Sequence, residues 1–357
     1  MAAKLTRHKY LKNVYYDSSK STDEIELTKQ RNSQPDDLEI VGNVFLNAKG
    51  EKHVLITFLA DIHYGGQCFN RKKFMKVLNF AKTTNSYVSI LGDSLDLATA
   101  SSATNVQTYQ TNNEKSQKAL QSDLELIKEQ ILQIVPGNHT SKQGNRIKDL
   151  GICMERPIAE HLGCPYFPYH VLLDIITGED KHYYIGLTHG DLANDYQTVA
   201  DKLIKVIRAE TGVIVDAVAM GHYHSTASYD RVYEYTTFDE ETNTYVKAHK
   251  TITVESMPAF QETNEFAVTK GQKKFANSKA FDFILDDEGN IINVISFNIL
   301  DEKGEYTQMA LRYQEQLKII DKETFMNKLR KKFAKKLLNA KTENAIIKIA
   351  QDMVEGE

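Results

Sequence analysis

Five short clusters in this chain carry side chains able to bind a metal ion: Asp61-Ile62-His63, Gly92-Asp93, Gly137-Asn138-His139, His189-Gly190-Asp191 and Gly221-His222-Tyr223-His224. Carboxylate and imidazole together suit a borderline divalent cation of the first transition row. Asp-x-His by itself occurs by chance in many proteins, so the weight rests on the repetition. Each cluster directly follows a short apolar run: residues 54–60, 87–91, 131–135, 183–188 and 213–220. Such runs, bounded by charge or glycine, read as buried strands. Each then passes through a small turn residue to a side chain that can hold a metal. In extended chain, residues i and i+2 point the same way, so Asp61 and His63 are expected to face one point beyond the sheet edge. The carboxyl edge of an open α/β sheet is where ligands gather.

Taken in order, these blocks resemble the calcineurin-like metallophosphoesterases, whose pattern runs D-x-H, G-D, G-N-H, H-G and G-H-x-H. The resemblance covers Asp61 to His224, under half the chain. It implies an α/β fold, a four-layered αββα sandwich of two mixed β-sheets flanked by helices, with two divalent metal ions. By position, one metal would be held by Asp61, His63, Asp93 and His224. The other would take Asp93, Asn138, His189 and His222, with Asp93 bridging. His139 matches the family's catalytic histidine, which is not a ligand. In the phosphoprotein-phosphatase branch, an acid three residues after the G-D aspartate holds that histidine. Asp96 stands there and is expected to orient His139, the alternative being a helix-capping or surface aspartate. Leu97 and Ala98 follow, where that branch has an arginine, so its phosphate clamp is missing. Thr140 stands where Asp or Glu is common. Arg146, between Lys142 and Lys148, is the candidate for a substrate phosphate, against the plainer reading of solvated surface charge.

These residue types fit phosphoester hydrolysis. Anionic oxygens repel a nucleophile and the leaving alkoxide is poor. Two metals about 3.5–4 Å apart can polarise the phosphoryl oxygens and lower the pKa of a shared water. Carboxylate, neutral imidazole and the amide of Asn138 suit Mn²⁺ first, with Fe, Zn²⁺ or Ni²⁺ as alternatives. The attacking group would be metal-bound hydroxide. His139 would protonate the leaving oxygen, help typically worth about 10²–10⁴-fold.

The remaining chain must position those strand ends. Residues 1–37 are polar, of mixed charge and without an apolar period, and read as a loosely docked arm or a disordered leader. Segments 38–46 and 53–60 flank the turn-rich stretch 47–52 and are expected to form a hairpin feeding the first metal strand. Helical spacing runs over 72–82, 114–130, 149–162 and 195–211, the last closed by Gly212. Residues 98–113, polar and aperiodic, are either a cover over the site or a surface loop. After His224, alternating strands 229–238 and 244–255, then 281–286 and 291–300, form two hairpins completing a second sheet. The expected domains are thus the arm 1–37, a catalytic domain 38–300 and a basic helical extension 301–357. In that extension Phe325, Leu329, Phe333 and Leu337 make an apolar seam that needs cover from the domain or from a second copy in a homo-oligomer.

The formal net charge of −4 excludes a uniformly basic nucleic-acid coat, though not a local patch. Cys68, Cys153 and Cys164 form neither a disulfide framework nor a metal spacing, which favours a reducing compartment. No leader or membrane-length apolar stretch is present, so a cytoplasmic protein without a membrane partner is expected. Function narrows to a phosphodiesterase acting on DNA, RNA or a nucleotide diester. The alternatives are a phosphomonoesterase, protein phosphatase or cyclic-nucleotide hydrolase, and last a non-catalytic binding scaffold of the same fold.

Overall fold

The computed structural model describes residues 4–7, 13–17, 40–66, 68–96, 113–138, 154–190, 195–239, 243–262 and 276–315. His139, Arg146, nearly all of the 98–113 stretch and the basic stretch after 322 expected to be helical lie outside the described residues. By contacts along the chain there are two compact units, residues 1–307 and 308–357. The sheets and the site below belong to the first. Of the second, residues 308–315 are described and helical.

The first unit holds two mixed sheets. The larger contains, in spatial order, β1 (Lys4–Arg7), β2 (Asn13–Asp17), β3 (Val41–Asn47), β7 (His170–Gly178), β8 (Lys181–Thr188), β9 (Ala217–Met220), β11 (Thr244–Ser256) and β10 (Ala227–Asp239). The smaller runs β13 (Ile291–Asn298), β12 (Lys279–Leu285), β4 (His53–Leu59), β5 (Tyr87–Leu91) and β6 (Ile131–Val135). β4, β5 and β6 are parallel, as are β8, β9 and β11, so both sheets send carboxyl ends in defined directions.

Between the sheets lies one apolar core. Val54, Ile56 and Phe58 of β4 and Phe281, Phe283 and Leu285 of β12 meet Val171, Leu173 and Ile175 of β7 and Ala217 and Ala219 of β9. The period of two on each strand puts these alternate side chains on one face. Each buried phenylalanine here contributes roughly 2–3 kcal/mol. A second core lies on the outer face of the larger sheet, where α4 (Tyr196–Thr211) sets Val199, Leu203, Ile204 and Ile207 against Leu172, Val218, Met220, Ile252 and Val254. Asp195 caps that helix by accepting the Thr198 amide, and left-handed Gly212 ends it. On the outer side of the smaller sheet, α1 (Arg71–Thr84) brings Phe80 against Phe297 of β13, their centroids 6.3 Å apart. With α2 (Asn113–Leu124) and α3 (Glu155–Leu162), the layering is αββα. Among the described residues no helix is long and apolar enough to cross a membrane.

Three expectations change. Segments 38–46 and 53–60 do not form a hairpin: β3 lies in the larger sheet and β4 in the smaller. A six-residue turn specifies only that two strands are neighbours. Here its ends belong to different sheets, since the Ala48 amide bonds Ile176 O on β7 while Lys52 O accepts from Leu285 on β12. β4 is buried on both faces and takes strand partners on both edges, β5 and β12. The two late hairpins also divide, β10–β11 extending the larger sheet and β12–β13 the smaller. Finally, the helix expected over 114–130 ends at Leu124 and continues as a 3-10 segment, Glu125–Gln130, broken at Ile127 (φ −128°). Within the arm expected to be loosely docked, β2 pairs in parallel with β3 and carries β1 at the sheet's edge.

Candidate metal centre

The carboxyl ends of the two sheets meet at one seam. β4, β5 and β6 deliver Asp61, Asp93 and Asn138; β8 and β9 deliver His189, His222 and His224. Parallel pairing does not stop where the strands do. The amides of Asp61, His63 and Tyr64 bond the carbonyls of Gly92, Asp93 and Ser94 at 2.8–3.1 Å, so the first two ligand turns run side by side. Two further bonds cross between the sheets. His222 donates its backbone N–H to Asp61 Oδ2 at 2.7 Å, and His189 Nδ1 lies 2.7 Å from Leu91 O. Because a carbonyl only accepts, His189 keeps a proton on Nδ1, and Nε2 faces the cluster.

Two groups of donors result, Asp61/His63/His224 and Asp93/His189/His222, the ligand atoms within each lying inside 4.8 Å of one another. In the first, His224 Nε2 is 3.0 Å from both Asp61 Oδ1 and His63 Nε2. In the second, His189 Nε2 is 3.2 Å from Asp93 Oδ2. Asn138 Oδ1 joins it, 3.0 Å from His189 Nε2 and 2.8 Å from His222 Nδ1. Asp93 Oδ2 also stands 3.9 Å from His63 Nε2, which places that carboxylate between the groups. The structure thus brings Asp61, His63, Asp93, Asn138, His189, His222 and His224 together at the seam.

The backbone reaches this arrangement differently from the extended geometry expected. Asp61, His63, Asp93, His222 and His224 all have left-handed φ, between 47° and 74°. Such conformations cost a non-glycine residue about 1–3 kcal/mol, and they persist only where the surroundings impose them. The glycines of the blocks serve close approach instead. A Cβ on Gly137 would fall 2.0 Å from Asp93 Oδ1 and 2.1 Å from the Asp93 amide, and one on Gly221 would fall 2.8 Å from Asp61 Oδ2.

Charge in the seam is balanced between buried carboxylates and the imidazoles that share protons with them, so a cation binding there would displace a proton. Burial would raise the Asp61 carboxyl, but His224 and His189 outweigh it and hold the group below its usual range. Burial would likewise lower His189, yet Asp93 and Asp61 push it up to about 10. His222, desolvated and beside His189, falls to about 4 and so stays neutral, with one ring nitrogen free of a proton. Asp61 Oδ1 is sealed from solvent and receives no well-directed hydrogen bond. Oxygen and nitrogen donors of this kind, converging on buried carboxylates, match the demands of a pair of borderline divalent ions.

Asp96 sits beside the cluster, its Oδ1 3.6 Å from His63 Nδ1, the ring nitrogen facing away from Asp61. It raises the proton affinity of His63 despite burial, and Gly66 leaves the space it fills. Three groups escaped the sequence reading. Asp123 accepts from Tyr64 Oη at 2.8 Å and from Arg71 Nε at 2.9 Å, tying the residue after His63 to α2. Buried Glu155 on α3 accepts the amide of Ser94, next to Asp93. Buried Glu255 on β11 pairs with buried Lys279 on β12. Their partners lie far away in sequence, so no local pattern marks them. Outside the cluster, His53, His161, His182 and His249 each pair with a carboxylate, as structural or surface histidines do.

Neither a family model nor the sequence of a curated protein matches this chain. Solved structures do. A 5′-nucleotidase precursor from Thermus thermophilus aligns at 12% identity and TM-score 0.32, over 77% of this chain and 59% of its own length. The alignment therefore spans well under two thirds of that enzyme. A Thermotoga maritima protein solved by NMR aligns at 13% identity and TM-score 0.31, over 69% of this chain and 98% of its own. GAP50, the anchor in the inner membrane complex of Plasmodium, aligns at 12% and TM-score 0.35, over 75% and 95%.

Proposed function

We propose that this protein is a metal-dependent phosphoric ester hydrolase that prefers diesters, of a nucleic acid or a nucleotide, over monoesters. One observation carries the reading: two buried Asp/His groups, joined through Asp93, converge at the seam of two sheets. Asp61, His63, Asp93 and His224 would hold one ion, and Asp93, Asn138, His189 and His222 the other. Bound there, such a pair supplies Lewis acidity toward phosphoryl oxygens and acidifies water.

The chain's own groups then have defined tasks. The Leu91 carbonyl keeps His189 in the tautomer that offers Nε2, and Asp96 faces the rear nitrogen of His63. Left-handed turns at five ligands present their side chains without rearrangement on binding. His139, directly after Asn138, is assigned the proton donated to the leaving oxygen. The diester preference rests on Leu97, which stands where an arginine would clamp a monoester dianion.

The test is parallel hydrolysis of bis- and mono-nitrophenyl phosphate with Mn²⁺ and with chelator. Diester turnover that requires Mn²⁺ is expected. Asp93→Asn should lose metal and activity together, while His139→Ala should keep both ions by elemental analysis and lose about 10²–10⁴-fold in rate. Absence of Mn²⁺-dependent hydrolysis of either ester would remove the enzymatic reading. A monoester preference would put a phosphomonoesterase in its place.

A further inference from the structure

Each half of the metal centre is carried by a different sheet, so something must hold the two carboxyl edges at a constant separation. On β11, Ile252 and Val254 face α4, which turns Glu255 inward between the sheets. On β12, Phe281 and Phe283 face the intersheet core, and Lys279 shares their side. The two charged groups meet there, both almost wholly buried, Glu255 at 2% exposure and Lys279 at 5%. Glu255 Oε1 is occupied by Ser228 Oγ at 3.0 Å, leaving Oε2 to the lysine.

Their registers place them at the site end of both sheets. Glu255 lies opposite Ala219, two residues before Gly221-His222, and Lys279 lies opposite Phe58, three before Asp61. From Glu255 the chain crosses the seam as a strap. The Met257 amide bonds Met220 O on the larger sheet at 2.8 Å, and three residues later the Phe260 amide bonds the Asp61 carbonyl at 3.1 Å. Asn70 N then bonds Phe260 O, and Ala259 O accepts from Asn277, next to the Ser278–Lys279 pair. One backbone stretch thus touches a ligand of the smaller sheet and the residue before the ligand turn of the larger.

We propose that the Glu255–Lys279 ion pair, with the strap 257–262 that it anchors, is the positioning device that sets the distance between the two halves of the metal centre. It touches no substrate; it acts through the backbone of Asp61 and of the His222–His224 turn. An ion pair suits the task because charge and direction give it one geometry, whereas apolar surfaces slide over one another. The inference rests on the metal-centre reading above.

The experiment titrates the full-length protein with Mn²⁺ by calorimetry and records electron paramagnetic resonance, in which a coupled Mn²⁺ pair is distinguished from isolated ions. The variants are Glu255→Gln, Lys279→Met, and the double apolar replacement Glu255→Leu/Lys279→Leu. Metal-free melting temperature is measured for each. Glu255→Gln and Lys279→Met are expected to bind the second Mn²⁺ at least tenfold more weakly and to lose the coupled spectrum. The double variant should recover melting temperature without recovering the coupled pair. Should a single variant fail to fold, Glu255→Asp, which shortens the bridge by one methylene and keeps its charge, should show the same loss of coupling. Variants that keep two equivalents and the coupled spectrum, or a double variant that recovers coupling along with stability, overturn the positioning role. A wild-type protein that takes up no Mn²⁺ pair overturns the metal-centre reading and this inference with it.

Discussion

At Gly137 one methyl group decides whether Asp93 keeps its place. The Cβ of an alanine would fall 2.0 Å from Asp93 Oδ1, with the Asp93 backbone equally close, so neither side can yield cheaply. Gly137→Ala is therefore expected to fold while displacing the shared carboxylate. A displacement on the order of 1 Å in a catalytic group costs about 100-fold in turnover. Elemental analysis should show fewer than two metal ions per chain, and diester turnover should fall by about that factor. A variant with full metal and near-normal rate would show that Asp93 has room to spare. The left-handed ligands make the complementary point. Asp61 and His63 were expected to share a face because they are two apart in extended chain. They share a site because both turn through positive φ, held by the carbonyls of Gly92 and Asp93.

At the scale of a single element, β7 carries a pH-sensitive group. His170 lies at its start, Nδ1 3.0 Å from Thr188 Oγ1 on β8, and burial pulls its pKa from 6.5 to about 4. The unfolded chain takes up this proton near pH 6.5 while the folded imidazole resists it down to about 4. Stability is therefore unaffected above that window and is lost as pH falls through it, by roughly 2 kcal/mol at pH 4.5 after allowance for partial exposure. His170→Asn, which keeps a polar partner for Thr188 but does not titrate, should lose less. Urea midpoints of both proteins at pH 7.5 and 4.5 give the difference, and identical pH slopes would rule out His170 as its source. The fold places this histidine by pairing β3 with β7, a parallel contact between segments more than a hundred residues apart.

At the scale of the whole molecule, the open question is polymer or small substrate. Lys331, Lys332, Lys335 and Lys336 cluster in a stretch whose apolar seam recurs every fourth residue. If that face follows a phosphate backbone, replacing the four by Gln should flatten the dependence of log affinity on log salt by up to about 3.6, since each phosphate contact contributes about 0.9. Cleavage of long oligonucleotides should slow while turnover of a nitrophenyl diester stays unchanged, because the metal ligands all come from residues 61–224. Equal loss on both substrates would indicate a folding or assembly role. No loss on either would leave a solvated cationic helix.

Much of the site was legible in the sequence because its signals are local. An apolar run, a glycine and a ligand are adjacent in the chain, and five repetitions in order name the strands β4, β5, β6, β8 and β9 and seven donors. The helix over 195–211 followed from its period and from Gly212 at its end. What the sequence left open was which strands pair. A turn of six residues joins a hairpin or two stacked sheets equally well, and only the burial of β4 on both faces, with β5 and β12 beside it, put it in the smaller sheet. The tertiary structure alone therefore decided that the ligands come from two sheets rather than one edge. It alone brought Asp96 to His63, Asp123 to Tyr64 and Glu255 to Lys279, because each contact is made by chain folding across segments that carry no mark of one another.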